Sequence, residues 1–219
     1  MYCKQLTKGL IMKQVYNYWM PDTDSHFERL IAKRIMNGGP AEYQDDVRDA
    51  AYKYVTDFNI CVDVGANVGL WARPLTEKFN RVIAYEPIDH VYKCLELNVK
   101  DLPVEINRFA LSSTTGFIDM IYDSENTGHS HVDMNTLGTG TIELKRMDDL
   151  DLPKFGLIKI DCERHELEVL KGAAETLLKY KPIIVCEQHR DTEYCAGDYL
   201  KSLGAIELIN VRKDYIFGW

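Results

Sequence analysis

An α/β fold, with a mostly parallel sheet covered by helices on both faces, is what this sequence predicts, and three observations predict it. From Asn59 onward, short β-branched runs alternate with amphipathic stretches, the pattern of strands joined by crossover helices. The first run ends in a glycine-bearing turn, Val62-Asp-Val-Gly-Ala-Asn-Val-Gly-Leu70, as a strand feeding a helix requires. The alternation then resumes at Leu157 after a glycine-dotted middle section. A chain of 219 residues, 46% hydrophobic and 27% charged, suits one globular domain with a small extension.

Residues 1–58 read as a helical N-terminal extension or lid, and residues 59–219 as the α/β domain. Asp24-Ser-His-Phe-Glu28 resembles a capped helix start, with Phe27, Leu30, Ile31 and Ile35 on one apolar face, and Gly38-Gly-Pro40 closes that helix. A second helix is expected over 42–56, where Tyr43, Val47, Ala50, Ala51 and Tyr54 recur at helical spacing. The α/β part then reads strand 60–64, helix 69–79, strand 81–85, helix 90–99 and strand 104–109. Residues 114–146 read as extra strands around a polar loop, 123–135. Strand 157–160, helix 163–180, strand 183–186 and helix 198–203 follow. The chain closes on an antiparallel pair, 206–211 with 214–217, because their connection is short.

Charge and cysteine usage exclude several classes. Lys and Arg number 26 against 34 Asp and Glu, a net charge of −8, the wrong sign for tracking a phosphate backbone, so nucleic acid is not expected as a partner. No apolar run at the N-terminus suits a signal peptide or membrane span, and the expectation is a cytoplasmic protein without a membrane partner. Six cysteines are dispersed without a C-x-x-C pair and read as reduced core residues rather than a disulfide or zinc framework.

The chemistry starts at the glycine turn. Glycines let a backbone approach a ligand closely, and a helix start offers free N–H groups. A dinucleotide fingerprint needs G-x-G-x-x-G, whereas Ala66-Asn67 separates Val64-Gly65 from Val68-Gly69 here. At the end of the next strand, in Ile83-Ala-Tyr-Glu-Pro87, stands Glu86, whose two oxygens suit the two hydroxyls of a ribose. The pair of turns defines a nucleoside-shaped slot. On these residues alone, a nicotinamide oxidoreductase and a cofactor-binding module without turnover remain open.

Three separated stretches make the sequence resemble the FkbM-type methyltransferases, of the class I S-adenosylmethionine-dependent superfamily. Val62–Leu70 is similar to the family's D-x-G-A-N-x-G, and Ala84-Tyr-Glu-Pro87 with Leu95-Glu-Leu-Asn98 to its F-E-P and L-x-x-N. Leu157-Ile-Lys-Ile-Asp-Cys-Glu-Arg-His-Glu-Leu-Glu-Val-Leu-Lys-Gly172 is close to its K-I-D-x-E-G-x-E-x-x-V-L-x-G, and Pro182–Glu187 to P-x-I-x-x-E. Arg164 stands where the family has glycine, with His165 next.

The resemblance implies a Rossmann-like seven-stranded sheet with S-adenosyl-L-methionine at the carboxyl ends of its strands, and methyl transfer to a hydroxyl of a sugar or other small metabolite. Carried over by position, it sets Asp63, Gly65, Ala66, Asn67 and Gly69 at the methionine end, Glu86 at the ribose, and Ala110 and Leu111 at adenine. Asp161 and Glu163 fall at the end of the next parallel strand, facing the reacting methyl. A hydroxyl acceptor must lose its proton to a base within reach, and Asp161 is the first choice, with His189 behind it; a plain helix-capping role competes for Asp161. Asp161, Glu163, Glu187 and His189 form an oxygen-rich set that hard cations favour, but the expectation is no metal. His129, His131, Arg164 and His165 are expected to touch the acceptor, Arg164 an acidic one. Tyr16, Tyr18 and Trp19 either cover the cofactor or pack on a sheet edge.

Overall fold

A computed structural model describes residues 4–7, 10–188 and 196–219. The chain opens on an antiparallel three-stranded sheet, β1 (Lys4–Thr7), β2 (Leu10–Val15) and β3 (Tyr18–Pro21). The helical extension expected over 1–58 is therefore helical only in its second part. Between β2 and β3, Tyr16 and Asn17 have φ of 48° and 68°, the two left-handed positions of a tight hairpin turn that matches strand twist. The buried residues of this ribbon, Met12, Val15, Tyr18 and Met20, share a core with Val68, Leu70, Ile88, Val91 and Cys94. Tyr18 is thus a packing residue, Tyr16 is exposed in the turn, and neither they nor Trp19 line a cavity.

Helix α1 (His26–Met36) follows, with Asp24 as its cap: Asp24 Oδ1 accepts the N–H groups of His26 and Phe27 at 2.9 and 3.4 Å. Helix α2 (Asp45–Tyr52) is shorter than expected. Strand β4 (Ile60–Val64) then enters the main sheet, followed by α3 (Ala72–Leu75), β5 (Arg81–Tyr85), α4 (Asp89–Val99) and β6 (Val104–Asn107). The helix expected over 69–79 survives only as α3. Pro74 lacks the N–H that would close its turn, and the flanking turns carry their own hydrogen bonds, from Arg73 N to Gly69 O and from Phe79 N to Leu75 O.

The middle section forms a separate four-stranded sheet of β7 (Ala110–Leu111), β8 (Gly116–Ile121), β9 (His131–Asp133) and β10 (Ile142–Lys145), in the order β7-β10-β8-β9. The strand expected over 104–109 stops at Asn107, and the chain enters the second sheet at Ala110. The chain returns to the main sheet with β11 (Leu157–Ile160), α5 (Glu166–Lys171), α6 (Ala174–Tyr180) and β12 (Ile183–Glu187). It ends with α7 (Ala196–Ser202), β13 (Ile206–Val211) and β14 (Asp214–Gly218). The single helix expected over 163–180 is broken near Gly172, where a Cβ would lie 1.9 Å from the Ser112 carbonyl oxygen. Backbone contact with the middle section bends the chain there.

The main sheet has seven strands in the order β13-β14-β12-β11-β4-β5-β6. The run from β6 to β12 is parallel, and β14 is antiparallel to both neighbours, which makes the sheet mixed. Chain order reverses between β4 and β11, so their carboxyl ends flank the crevice in which open α/β sheets bind ligands. Val62, Val64, Ile158 and Ile160 face one core, and Cys61 and Leu157 the other. Both faces being covered explains why these strands read as apolar runs rather than alternating ones. Among the described residues, Cys61, Cys94, Cys162 and Cys186 are free thiols, and no helix is long and apolar enough to cross a membrane.

Candidate active site

At the β4–β11 crevice the chain builds two adjoining cavities. The inner one is set by the turn after β4. Gly65 has φ 76°, and a Cβ on it would lie 2.0 Å from the Asp161 carbonyl oxygen, so only glycine lets the turn pass the end of β11. Asn67, at φ 50°, accepts the Val68 N–H at 2.8 Å and donates its own N–H to Glu86 Oε2 at 3.0 Å. Glu86 Oε1 accepts the Ile88 N–H at 2.8 Å. Each Glu86 oxygen keeps acceptor capacity beyond these bonds, and the residue lines the cavity. Burial raises its carboxyl to about 7.

Gly65, Ala66, Asn67, Ala110 and Leu111 all line this cavity with Glu86. Phe109, Ile88 and Val132 add an apolar wall of the kind an adenine ring stacks against. Asp63 and Gly69 stand behind the lining: Asp63 is fully buried under it, and Gly69 packs its Cα face against Leu95. The residues present fit a nucleoside cofactor in their chemistry, with a carboxylate at the ribose position and apolar walls beyond it. The space is narrow, about 100 Å³, below the ~300–1,000 Å³ usual for ligand pockets, so occupation requires its roof to shift.

That roof comes from two segments far apart in sequence. Phe27, Thr127 and Gly128 cover the cavity. They are clamped by Asp24, whose Oδ2 accepts the Thr127 N–H at 3.0 Å and the Thr127 hydroxyl at 2.6 Å. Thr127 Oγ1 also lies 3.1 Å from Asn67 Oδ1, which ties the roof to the turn below. Asn98 holds the other side, bonding both backbone polar groups of Trp19 and donating to Val68 O at 2.7 Å.

Lys159 was not singled out in the sequence, although it lies inside the K-I-D stretch; a lysine within a wholly buried apolar strand is the signal. Its Nζ donates to Gly65 O at 3.1 Å and lies 3.7 Å from Asp63 Oδ1 and 3.5 Å from Asp161 Oδ2. Burial opposes its charge, but Asp161 and Asp63 outweigh that and hold it above the ordinary lysine range. Burial raises the Asp63 carboxyl, with Lys159 acting against the rise. The pair is a buried charge couple that would be costly to break.

The outer cleft, about 780 Å³, is lined by His26, Phe27, Tyr43 and Gln44 from the N-terminal part, by Asn126, Gly128, His129 and His131, by Glu163 and Arg164 after β11, and by Glu187, Arg212, Lys213 and Asp214. Glu163, Phe27, Tyr43 and Gly128 line both cavities and form the neck between them. Asp161, Glu163 and Glu187 bring oxygens within 4.8 Å of one another, so three of the four residues of the oxygen-rich set do meet. His189 lies outside the described residues, and no metal is assigned here.

Crowding of acids in poorly solvated space governs their titration. Burial, then Asp161 and Glu166, raises Glu163 to about 7. Burial, then Asp161 and Glu163, pushes Glu187 up to about 9, and burial, then Asp161, brings Asp214 to about 7. Glu166 Oε1 accepts the N–H groups of Cys162 and Arg164 at 2.8 and 3.2 Å, which holds the 161–166 turn in shape.

The histidines divide between the cavities. His165 is buried, lines the inner cavity and has Nε2 3.0 Å from Ser112 Oγ, with burial lowering its pKa. His129 and His131 line the outer cleft with Arg164. The expected acceptor set is therefore assembled except for His165, which faces the inner cavity. Tyr43, Thr127, Asp24 and Asp214 were not assigned to the site from the sequence, because only long-range contacts bring them here.

A nucleoside-shaped cavity thus stands at the switch point of this Rossmann-like sheet and adjoins a second cleft. The description "Methyltransferase FkbM domain" matches residues 63–209, and the chain belongs to this family of S-adenosylmethionine-dependent methyltransferases. The nicotinamide alternative falls with that match. Hexuronic acid methyltransferase AglP of Haloferax volcanii is 29% identical over 187 residues, covering 80% of this chain and 76% of that protein. Methyltransferase sdnD of Sordaria araneosa is 29% identical over 155 residues, covering 52% and 60%. Among solved structures, methyltransferase FkbM from Methylobacillus flagellatus matches with TM-score 0.51 and 21% identity over 74% of this chain. This chain spans 43% of that one. A precorrin-6y C5,15-methyltransferase from Geobacter metallireducens matches at 0.51 with 14% identity over 81% of this chain and 92% of its own; both likenesses concern the fold.

Proposed function

We propose that the chain transfers a methyl group from S-adenosylmethionine to a hydroxyl of a sugar-type acceptor in the outer cleft, and that Glu163 takes the hydroxyl's proton. The observation that carries this reading is the position of Glu163, which lines both cavities at their neck. The name of the Haloferax relative, a hexuronic acid methyltransferase, supports an acidic sugar as the acceptor class.

Bound in the inner cavity, S-adenosylmethionine supplies a methyl carbon already activated by positive sulfur. The chain's residues align the acceptor and remove its proton. Glu86 would accept from the ribose hydroxyls, Ala110 and Leu111 would flank the adenine, and the turn 65–67 would border the methionine end. Phe27 and Tyr43 at the neck exclude water and limit how the acceptor approaches. A carboxyl held at about 7 is matched to accepting a proton near neutrality. Asp161, by contrast, is tethered by the Lys159 ammonium at 3.5 Å and lines only the inner cavity. In this reading the base role moves two residues beyond the position favoured in the sequence, from Asp161 to Glu163.

Glu163→Gln tests this, with methyl transfer from S-adenosylmethionine to hexuronosides as the assay. Affinity for S-adenosylhomocysteine should persist while kcat falls at least ~100-fold. Wild-type kcat should rise as pH passes about 7, and the variant should lose that limb. A larger loss in Asp161→Asn than in Glu163→Gln would return the role to Asp161.

A further inference from the structure

Tyr43 reaches the neck between the cavities through a stretch of backbone that is fixed from both sides. Gln44, next in the chain, has φ 49°, a left-handed conformation that a non-glycine residue adopts at a cost. Its side chain is fastened at both ends: Nε2 donates to Asp214 Oδ2 at 3.2 Å, and Oε1 accepts the Trp71 Nε1–H at 2.7 Å. Buried Arg48 donates to the Tyr43 carbonyl oxygen and to Glu42, and its guanidinium lies 5.6 Å over the Trp71 ring. The Tyr43 ring meets Phe27 edge-on at 5.3 Å and packs against both of the apolar clusters it touches.

The hydroxyl is the exception: among the described residues it has no hydrogen-bond partner. The charges that act on it are Asp161, Lys159, Asp214 and Glu187, which places the phenol end of the ring at the site rather than in the core. Phenylalanine would make the same ring contacts, and a half-buried hydroxyl without a partner costs free energy. Burial, then Asp161, raises the phenol above its ordinary value, so the hydroxyl is a neutral donor at every pH at which Glu163 acts.

We propose that the Tyr43 hydroxyl donates a hydrogen bond to the reacting oxygen of the acceptor and so selects which sugar hydroxyl is methylated. This rests on the methyl-transfer reading above, with Glu163 as the base. A hydroxyl has one proton and two lone pairs. In the transfer, its proton passes to Glu163, and one lone pair forms the bond to the methyl carbon as the carbon–sulfur bond breaks, that electron pair going to sulfur. The second lone pair is left for Tyr43, which keeps its own proton. Tyr43 and Glu163 both line both cavities, so they border the junction where one oxygen can meet the two of them, and two contacts fix its rotation as one does not. The donors beside Tyr43 are committed elsewhere: Lys159 to Gly65 O, Asp63 and Asp161, Arg212 to Asp46, and Gln44 to Asp214.

The test is Tyr43→Phe, which keeps the ring and removes only the hydroxyl. Four quantities are compared with wild type: thermal unfolding, S-adenosylhomocysteine affinity by calorimetry, hexuronoside affinity of the S-adenosylhomocysteine complex, and turnover with the methylated position read by NMR. The variant should unfold at the wild-type temperature or above and bind S-adenosylhomocysteine equally well. Its affinity for the hexuronoside should fall about three- to tenfold, the scale of one neutral hydrogen bond. Its kcat/KM should fall at least about tenfold, and methylation should spread to a second hydroxyl of the ring. Weakened S-adenosylhomocysteine binding overturns the proposal by assigning the hydroxyl to the cofactor, and a lowered unfolding temperature overturns it by giving the hydroxyl a partner within the chain. Weaker hexuronoside binding with a single methylated position overturns the selection of the hydroxyl. Affinity and position that both stay as in wild type overturn the whole proposal, while the methyl-transfer reading stands. Wild type that binds S-adenosylhomocysteine yet methylates no hexuronoside overturns that reading, and this inference with it.

Discussion

The inner cavity takes its floor from two consecutive strand-end turns, 64–67 and 85–88, whereas the outer cleft draws its walls from His26–Phe27, Tyr43–Gln44, Asn126, Gly128, His129 and His131, Glu163–Arg164, Glu187 and Arg212–Asp214. In the inner cavity Glu86, itself raised to about 7 by burial, has a backbone donor on each oxygen, and Asp161 and Glu163 line the same cavity. In the outer cleft, carboxylates crowd together and are pushed toward neutrality by burial and by one another. The first arrangement is fixed by backbone hydrogen bonds between neighbouring turns. The second gathers protonatable groups from remote segments, while left-handed non-glycine residues stand in both, Asn67 in the inner cavity and Gln44, Glu163, Arg164 and Arg212 in the outer cleft.

Lys159 lies at the inner cavity between Asp63 and Asp161, and removing it should break the contrast most severely. Lys159→Met leaves Asp63 buried without its counter-ion, so urea denaturation should show a loss of about 3–5 kcal/mol. Pairing it with Asp63→Leu should lose less, because no orphaned charge remains. A single variant as stable as wild type would show that Asp63 is already neutral in the folded protein.

The roof should give a smaller effect. Asp24→Ala removes the cap of α1 and the clamp on Thr127 together, and should cost about 1–2 kcal/mol. Amide exchange over 123–133 should quicken in that variant, and in wild type it should change when S-adenosylhomocysteine fills the narrow inner cavity. No change in either case would separate the clamp from the cofactor site.

The smallest effect concerns pH. Glu187 is held up to about 9, so between its unfolded value and about 9 the folded state retains a proton that the unfolded chain has released. Stability therefore falls as pH rises through that range. The carboxyls near 7 complete most of their change below neutrality, and the lowered histidines, His26, His90 and His165, act below about 6.5. From pH 7 to 9 the unfolding temperature of wild type should decline by a few degrees, and Glu187→Gln should flatten that decline. A wild-type curve level across this window would mean that Glu187 is ionised in the folded state.

Legibility in the sequence followed the same division. The strands of the main sheet were readable as apolar β-branched runs, because a strand covered on both faces leaves that local mark. The cofactor turn was readable because close approach and positive φ demand glycine at particular spacings. The antiparallel ribbon at the N-terminus was not, because a hairpin closed by Tyr16-Asn17 rather than Asn-Gly carries a weak turn signal. The long helices expected after Gly69 and Glu163 were broken by Pro74 and by the Ser112 contact at Gly172, the first local but outweighed in the pattern, the second visible only once the chain is folded. Tyr43, Thr127 and Asp214 carry no motif and entered the site through contacts across large sequence separations.

By itself, then, the sequence determined the class of fold, the nucleoside-shaped turn pair and the family, because each depends on backbone demands that particular residues meet locally. The tertiary structure decided that Glu163 rather than Asp161 stands at the junction of the two cavities and that Lys159 lies between Asp63 and Asp161. It also decided that the outer cleft is completed by the N-terminal part of the chain. Charge, burial and distance between remote segments control those outcomes, and they exist only when the sheet, ribbon and roof are packed together.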